Sequence, residues 1–315
     1  MSKKIVFMGT PDFAVTVLDA IVQAGYEVAT VVTVPDRQMG RGMKVNFSPV
    51  KNYALQHNLP LLQPEKLRNS DFIDALKAVN ADLFVVVAFR MLPQIVWAMP
   101  PMGTFNLHAS LLPQYRGAAP INWAIINGET ETGVTTFLLN EKIDEGKILM
   151  QRTTPITKDD TAETLHDRLA EMGAALTVET LDALFDGTIV PQPQPDVDEL
   201  KPAPKIFKQD CVIDWSRDGE YVVNFIRGLS PYPAAMTTMI DSKGENVTMK
   251  IFSAEYEKDD KSTLYEIKSD GKKVLKIGVK CGFIKILSLQ ISGKKKISVE
   301  EFLRGYNVYD WKLII

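Results

Sequence analysis

Lys4-Ile5-Val6-Phe7-Met8-Gly9-Thr10-Pro11-Asp12-Phe13 is the stretch on which the fold turns. Its apolar run lacks the in-out alternation of a half-exposed strand, so it reads as a short strand buried on both faces. Glycine and proline then break it. From Asp12 to Ala24 the apolar Phe13, Val17, Leu18 and Ile21 recur at helical spacing, and Gly25 closes the helix. The pattern then repeats along the chain. A strand is predicted over 28–34 and helices over 48–57 and 70–79. The uninterrupted run Leu83-Phe84-Val85-Val86-Val87-Ala88, strands over 103–107 and 134–139, and a long helix over 162–186 follow. Buried runs alternating with amphipathic helices predict an α/β domain with a parallel-rich, doubly wound sheet. The Gly9-Thr10-Pro11-Asp12 turn lacks the G-x-G-x-x-G spacing of a dinucleotide site, so it reads as a tight turn at the edge of a ligand cleft.

The pattern stops at IVPQPQPDVDELKPAPKIF, residues 189–207, which holds prolines 191, 193, 195, 202 and 204 out of 18 in the chain. Proline at that density removes backbone donors from helix and ladder alike, so the segment should be an extended connector. Beyond it a helix is predicted over 218–227. Short strands over 235–240, 247–254, 265–268, 273–279 and 283–291, separated by glycine and Asp-Gly turns, suggest a small barrel. The expected division is 1–188, a linker over 189–207, and 208–315.

Composition narrows the chemistry. The chain has 315 residues, 45% hydrophobic and 24% charged, which excludes a disordered or fibrous protein. Cys211 and Cys281 are its only cysteines and His57, His108 and His166 its only histidines, so neither a disulfide framework nor a spaced zinc site is expected, and no metal is invoked. No apolar run has membrane-spanning length, and the start leads into a strand without a cleavage site, so a cytoplasmic protein with no membrane partner is expected. Charge is uneven. Residues 205–315 carry 19 Lys and Arg against 15 Asp and Glu, while the preceding residues carry 17 against 24. Between positions 268 and 296 nine lysines accompany one acid, Asp270, a pattern that fits either a soluble edge or a nucleic-acid footprint.

The densest polar punctuation is Asn106-Leu107-His108-Ala109-Ser110-Leu111-Leu112-Pro113. His108 falls just past a predicted strand, where doubly wound sheets hold their ligands. Histidine can exchange a proton near neutrality, and Asn106, two residues earlier on the same face, can donate an amide N–H to a developing oxyanion. Asp144, in Ile143-Asp144-Glu145-Gly146, follows another strand and can orient and charge-stabilise an imidazole. Ser110 lies in no G-x-S-x-G elbow, which argues against a serine hydrolase.

The run FNLHASLLPQYRGAAPINW with the downstream IDEGKIL resembles the core of the folate-dependent formyltransferases. IVFMGTPDFA, VPDRQMGRG followed by SPVK, and IDWSRDGEYVVNFIRGLSPYPAAM are similar to the branch that formylates charged initiator tRNA, so the resemblance covers nearly the whole chain. It implies a Rossmann-like formyltransferase domain followed by an OB-like β-barrel. It also implies 10-formyltetrahydrofolate as donor co-substrate and methionyl initiator tRNA as acceptor; a monomer is expected. Asn106, His108 and Asp144 would be catalytic, and Ser110, Leu111, Leu112 and Pro113 would bind the folate. A loop over 35–50 would approach the acceptor stem through Arg41, with Arg37 and Lys44 nearby. In the barrel, Lys272, Lys273, Lys294, Lys295 and Lys296 would meet the tRNA backbone. Two alternatives share the catalytic residues, an amino-sugar formyltransferase and a formyltetrahydrofolate hydrolase. One departure stands out: Ala88-Phe89-Arg90-Met91-Leu92-Pro93 lacks the family's Tyr-Gly pair, so no pterin contact is carried over there.

Overall fold

The computed structural model describes residues 3–39 and 44–314. Its elements begin with β1 (Lys4–Gly9), α1 (Asp12–Gln23), β2 (Glu27–Val32), β3 (Arg37–Met39), β4 (Lys44–Asn46), α2 (Pro49–Gln56), β5 (Leu61–Leu62) and α3 (Ser70–Ala78). They continue with β6 (Leu83–Val87), α4 (Gln94–Trp97), β7 (Thr104–His108), α5 (Pro120–Ile126), β8 (Glu131–Leu138), β9 (Ile148–Pro155) and α6 (Ala162–Phe185). A 3-10 turn at Lys208–Cys211 precedes α7 (Gly219–Gly228), β10 (Ala235–Ile240), β11 (Asn246–Lys258), β12 (Ile267–Ser269), β13 (Leu275–Val279), β14 (Gly282–Ile291), β15 (Ile297–Ser298), α8 (Val299–Gly305) and β16 (Lys312–Leu313).

The first sheet has the order β5-β2-β1-β6-β7-β8-β9. β1 runs parallel to both β2 and β6, and β6 parallel to β7. Its central strand is fully enclosed, with Ile5, Val6, Phe7 and Met8 all 0% exposed, as the unbroken apolar run requires. From β1 the chain steps outward to β2 and β5, then returns to the other side for β6 and β7. That reversal opens a crevice outside the carboxyl ends of β1, β6 and β7. The parallel pattern ends at β8, which pairs antiparallel to β7. An apolar run carries no strand direction, so the sequence could not anticipate this. At the first turn, a Cβ on Gly9 would lie 2.7 Å from the Ala14 Cβ and 3.1 Å from the Val87 carbonyl oxygen, so this glycine serves close packing of strand, helix and neighbouring strand.

The second sheet follows the order β12-β13-β14-β11-β10-β16, with β15 beside β14, and forms an antiparallel, nearly closed barrel. β10 alternates buried and half-buried positions with a period of two, as expected where one face meets the core. α7 supplies Val222, Phe225 and Ile226 to a core shared with Trp215, Ile251, Ile277, Ile284 and Phe302. Asp218 caps the helix by accepting from the Tyr221 N–H at 2.8 Å.

Two compact units emerge, and they interleave along the chain. One holds residues 1–117, 132–154 and 166–202, and the other 118–131, 155–165 and 203–315. α5 thus belongs to the second unit. Its Ile126 joins the α7 core, and Asn122 Nδ2 donates to the Gly228 carbonyl at 2.7 Å. A side chain at Gly228 would meet Ile126 at 2.8 Å, so glycine sets the closeness of α5 and α7.

Candidate active site

β7 delivers the central residues. Asn106 pairs in register with Val86 of β6 and Phe137 of β8, and His108 is the last residue of the strand rather than the first beyond it. Alternation along the strand puts both on one face, as the spacing of two predicts. His108 is 6% exposed, with its ring edge-on to Phe137. Its Nε2 lies 2.8 Å from the Tyr115 carbonyl oxygen. A carbonyl only accepts, so Nε2 carries the proton of the neutral ring, and Nδ1 is the nitrogen left with a lone pair. Nδ1 stands 3.9 Å from Asp144 Oδ2, too far for a hydrogen bond and near enough for the carboxylate to stabilise the ring once it takes a proton. The backbone of Tyr115 therefore orients the imidazole, and Asp144 offers it charge.

Asp144 sits in a left-handed backbone conformation, φ 52°, in the loop between β8 and β9. Aspartate tolerates that region better than most residues, but it needs contacts that hold it there. Gly117 N donates to Asp144 Oδ2 at 2.9 Å. Gln194 Nε2 donates to the Asp144 carbonyl at 2.7 Å and to the Gly146 carbonyl at 3.0 Å. Gly146 itself packs against β8, where a Cβ would fall 1.6 Å from the Leu138 carbonyl oxygen. Asn106 Oδ1 is buried without a hydrogen-bond partner, an orphaned acceptor of the kind that a ligand donor satisfies.

The 110–113 segment is held chiefly through one buried hydroxyl, with Gln151 Nε2 also donating to the Leu112 carbonyl at 2.9 Å. Thr135, fully buried and opposite His108 in register, donates to the Ser110 carbonyl at 2.7 Å. The same oxygen accepts from Leu112 N at 3.2 Å and from Gln151 Nε2 at 2.9 Å. Ser110 is 0% exposed and spends its own hydroxyl on the Gln114 carbonyl at 2.7 Å, which removes it as a nucleophile. Leu112 and Pro113 are buried, and Leu111 is half-buried.

The proline-rich segment belongs to this site and is not a free tether. Gln192 bridges Ile148 on β9. Gln114 clasps the segment by donating to the Glu199 carbonyl at 2.9 Å and accepting from Lys201 N at 2.8 Å, while Tyr115 N donates to the Lys201 carbonyl at 2.7 Å. Neither Gln194 nor Thr135 was a candidate from the sequence. A lone glutamine between prolines and a threonine within a strand carry no periodic signal, and both act through tertiary contacts.

The other expected residues lie elsewhere. Arg37 and Lys44 fall on β3 and β4, which pair antiparallel with Met39 opposite Lys44. Arg41 lies outside the described residues. In the barrel, strand pairing sets three turns at one end of the sheet, at 241–245, 270–274 and 292–296. Lys272 and Lys273 occupy one of these turns and Lys294, Lys295 and Lys296 another. The lysines within the strands are different: Lys268, Lys276 and Lys285 pair with Glu266, Glu257 and Glu255. Two of those acids come from β11, upstream of the lysine-rich stretch, so counting charge within that stretch overstated the basic face. Asp270 organises its turn by accepting from the Lys272, Lys273 and Val274 amides, which hold its carboxyl down to about 2. Among the described residues no cluster of three or more His, Cys, Asp or Glu could hold a metal ion, and no helix is long and apolar enough to cross a membrane.

The mixed doubly wound sheet thus presents Asn106 and His108 at one strand end, with a carboxylate facing the imidazole. Two family models identify the class: the formyl transferase model matches residues 3–181, and the formyl transferase C-terminal domain model matches residues 205–307. The chain is 54% identical to methionyl-tRNA formyltransferase of Bacteroides thetaiotaomicron over 312 residues, covering 98% of this chain and 97% of that protein. It is 49% identical to methionyl-tRNA formyltransferase of Flavobacterium johnsoniae over 307 residues, covering 98% and 97%. This chain belongs to the methionyl-tRNA formyltransferase family. More distant solved structures share the fold. The sugar 3N-formyl transferase WlaRD, solved with dTDP and 5-N-formyl-THF, superposes with a TM-score of 0.65 at 20% identity over 94% of this chain and 100% of that one. HypX from Aquifex aeolicus in complex with tetrahydrofolic acid gives 0.64 at 20% identity, covering 100% of this chain and 51% of that one.

Proposed function

We propose that the protein transfers the formyl group of 10-formyltetrahydrofolate to the α-amino group of methionyl initiator tRNA, in the cytoplasm and as a monomer. The observation that carries this reading is the meeting, at the end of β7, of Asn106 with its orphaned side-chain oxygen, the bare Nδ1 of His108 and the Asp144 carboxylate facing it. The amine lone pair attacks the formyl carbon, forming a C–N bond and a tetrahedral oxyanion. Collapse then breaks the bond to N10 of the folate, which leaves carrying a proton. His108 Nδ1 takes the proton from the attacking amine and returns it to N10. Asp144 stabilises the imidazolium in between, and Asn106 donates to the oxyanion, a contact whose loss costs roughly 10²–10³ in rate in comparable sites.

Ser110, Leu111, Leu112 and Pro113 form the folate-binding segment in this reading, supported by the Thr135 network that fixes their backbone. Arg37, Arg41 and Lys44 serve the acceptor end of the tRNA, and Lys272, Lys273, Lys294, Lys295 and Lys296 its phosphates. Each lysine that meets a phosphate adds to the salt dependence of binding. The working division is a catalytic part over 1–188, a linker over 189–207 and a tRNA-binding part over 208–315.

The test is formyl transfer to charged initiator tRNA, with charged elongator tRNA, a free amino sugar and water as competing acceptors. His108→Ala and Asp144→Asn should remain folded and lose nearly all transfer. Near-normal turnover of His108→Ala would remove the catalytic assignment. Preferred transfer to the sugar, or formate release without tRNA, would favour the two related activities instead.

A further inference from the structure

Gln194 lies in the proline-rich segment, far along the chain from both loops it touches, yet every polar atom of its amide is used inside the catalytic unit. Its Nε2 donates to the carbonyls of Asp144 and Gly146. Its Oε1 accepts from Arg116 twice, from Nε at 3.2 Å and from a terminal nitrogen at 2.7 Å. Arg116 also pairs with Glu145 at 3.0 Å, and Glu145 with Lys142 at 3.2 Å. One amide thus ties the loop that follows His108 to the turn that carries Asp144. That turn contains a non-glycine residue at φ 52° and has to be held from outside.

We propose that Gln194 is a positioning residue, which sets the Asp144 carboxylate opposite His108 by bracing the backbone on either side of it. The inference rests on the catalytic reading above and extends it to a segment that otherwise looks like a tether. The amide is suited to the task because it donates and accepts in one plane. The donating half faces two carbonyls and the accepting half faces a guanidinium. Gln194→Glu separates these functions, since a carboxylate still accepts from Arg116 but sets an oxygen against the two carbonyls.

The experiment is a double-mutant cycle in the full chain, with kcat and both KM values measured for wild type, Gln194→Ala, Asp144→Asn and the double variant, and with melting temperatures recorded alongside. Gln194→Ala should lower kcat by about 10- to 100-fold with KM for each substrate nearly unchanged, the cost expected of a misplaced catalytic group. Gln194→Glu should lose at least as much. In the Asp144→Asn background, removing Gln194 should cost almost nothing further, because the group it positions is already gone. Full kcat in Gln194→Glu, or losses that add in the double variant, would overturn the proposal while leaving the catalytic reading intact. Near-normal turnover of Asp144→Asn alone would bring down that reading and the proposal with it.

Discussion

At the scale of single residues, the candidate site depends on a few buried or half-buried polar groups that each serve several partners at once. Thr135 shows what this means energetically. Its hydroxyl serves three groups around the 110–113 segment. Thr135→Val keeps the shape and leaves the Ser110 carbonyl and the Leu112 amide short of a partner, at about 1–3 kcal/mol for each buried group so exposed. The expected outcome is a lower melting temperature and a KM for the folate donor raised by about tenfold, with KM for charged tRNA little changed. Thr135→Ser should restore most of both, and equal effects on the two substrates would show that the segment does not distinguish them. Asn106, His108 and Asp144 could be singled out in the sequence because strand-end address and side-chain chemistry coincide there. The orienting partner of His108 was not legible, because it is a backbone carbonyl that any residue at position 115 would supply.

At the scale of elements, the β3–β4 hairpin is the clearest case of a local structure held from its base. Lys51, buried on α2, lies 2.6 Å from Asp36 just before the hairpin and 3.9 Å from the ring centroid of Phe47 just after it. Gln63 adds a hydrogen bond to Asp36 at 2.8 Å. Hydrogen bonds from Lys51 and Gln63 hold the Asp36 carboxyl below its ordinary range. A depressed carboxylate contributes above its unfolded pKa and loses that contribution as pH falls through its folded value. Amide exchange in the hairpin, corrected for intrinsic rates, should therefore stay constant from neutrality to about pH 4 and accelerate only below it. Lys51→Met should accelerate it severalfold already at pH 7. Identical exchange in variant and wild type would show that the ion pair does not hold the hairpin.

At the scale of the whole molecule, compactness does not follow chain order. The barrel core takes in α5 through Ile126, and Arg227 of α7 donates to the carbonyls of Thr157 and Asp160 at 3.0 Å and 2.9 Å. A fragment beginning at residue 203 lacks both. It should melt below the intact chain and bind a hydrophobic dye, since the face of α7 beside Gly228 loses its cover. Adding residues 118–165 in the same polypeptide should reverse this. A fragment of 203–315 that melts as cooperatively and as high as the barrel in the intact protein would show that α5 contributes nothing to its stability.

The sequence by itself determined the class of fold, the position of the sheet's inner strands and the two-part organisation, and it singled out Asn106, His108 and Asp144 as candidates for one site. These follow from period, from strand-end position and from the chemistry of a few side chains, all of which are local. Only the tertiary structure decided that β8 reverses direction, that Lys276 and Lys285 pair with glutamates of β11, and that the proline-rich segment clasps the loops around Asp144. The physical reason is common to all three. A strand's direction, an ion pair across a ladder and a glutamine amide shared between two loops are settled by groups distant in sequence that meet only when the chain closes on itself.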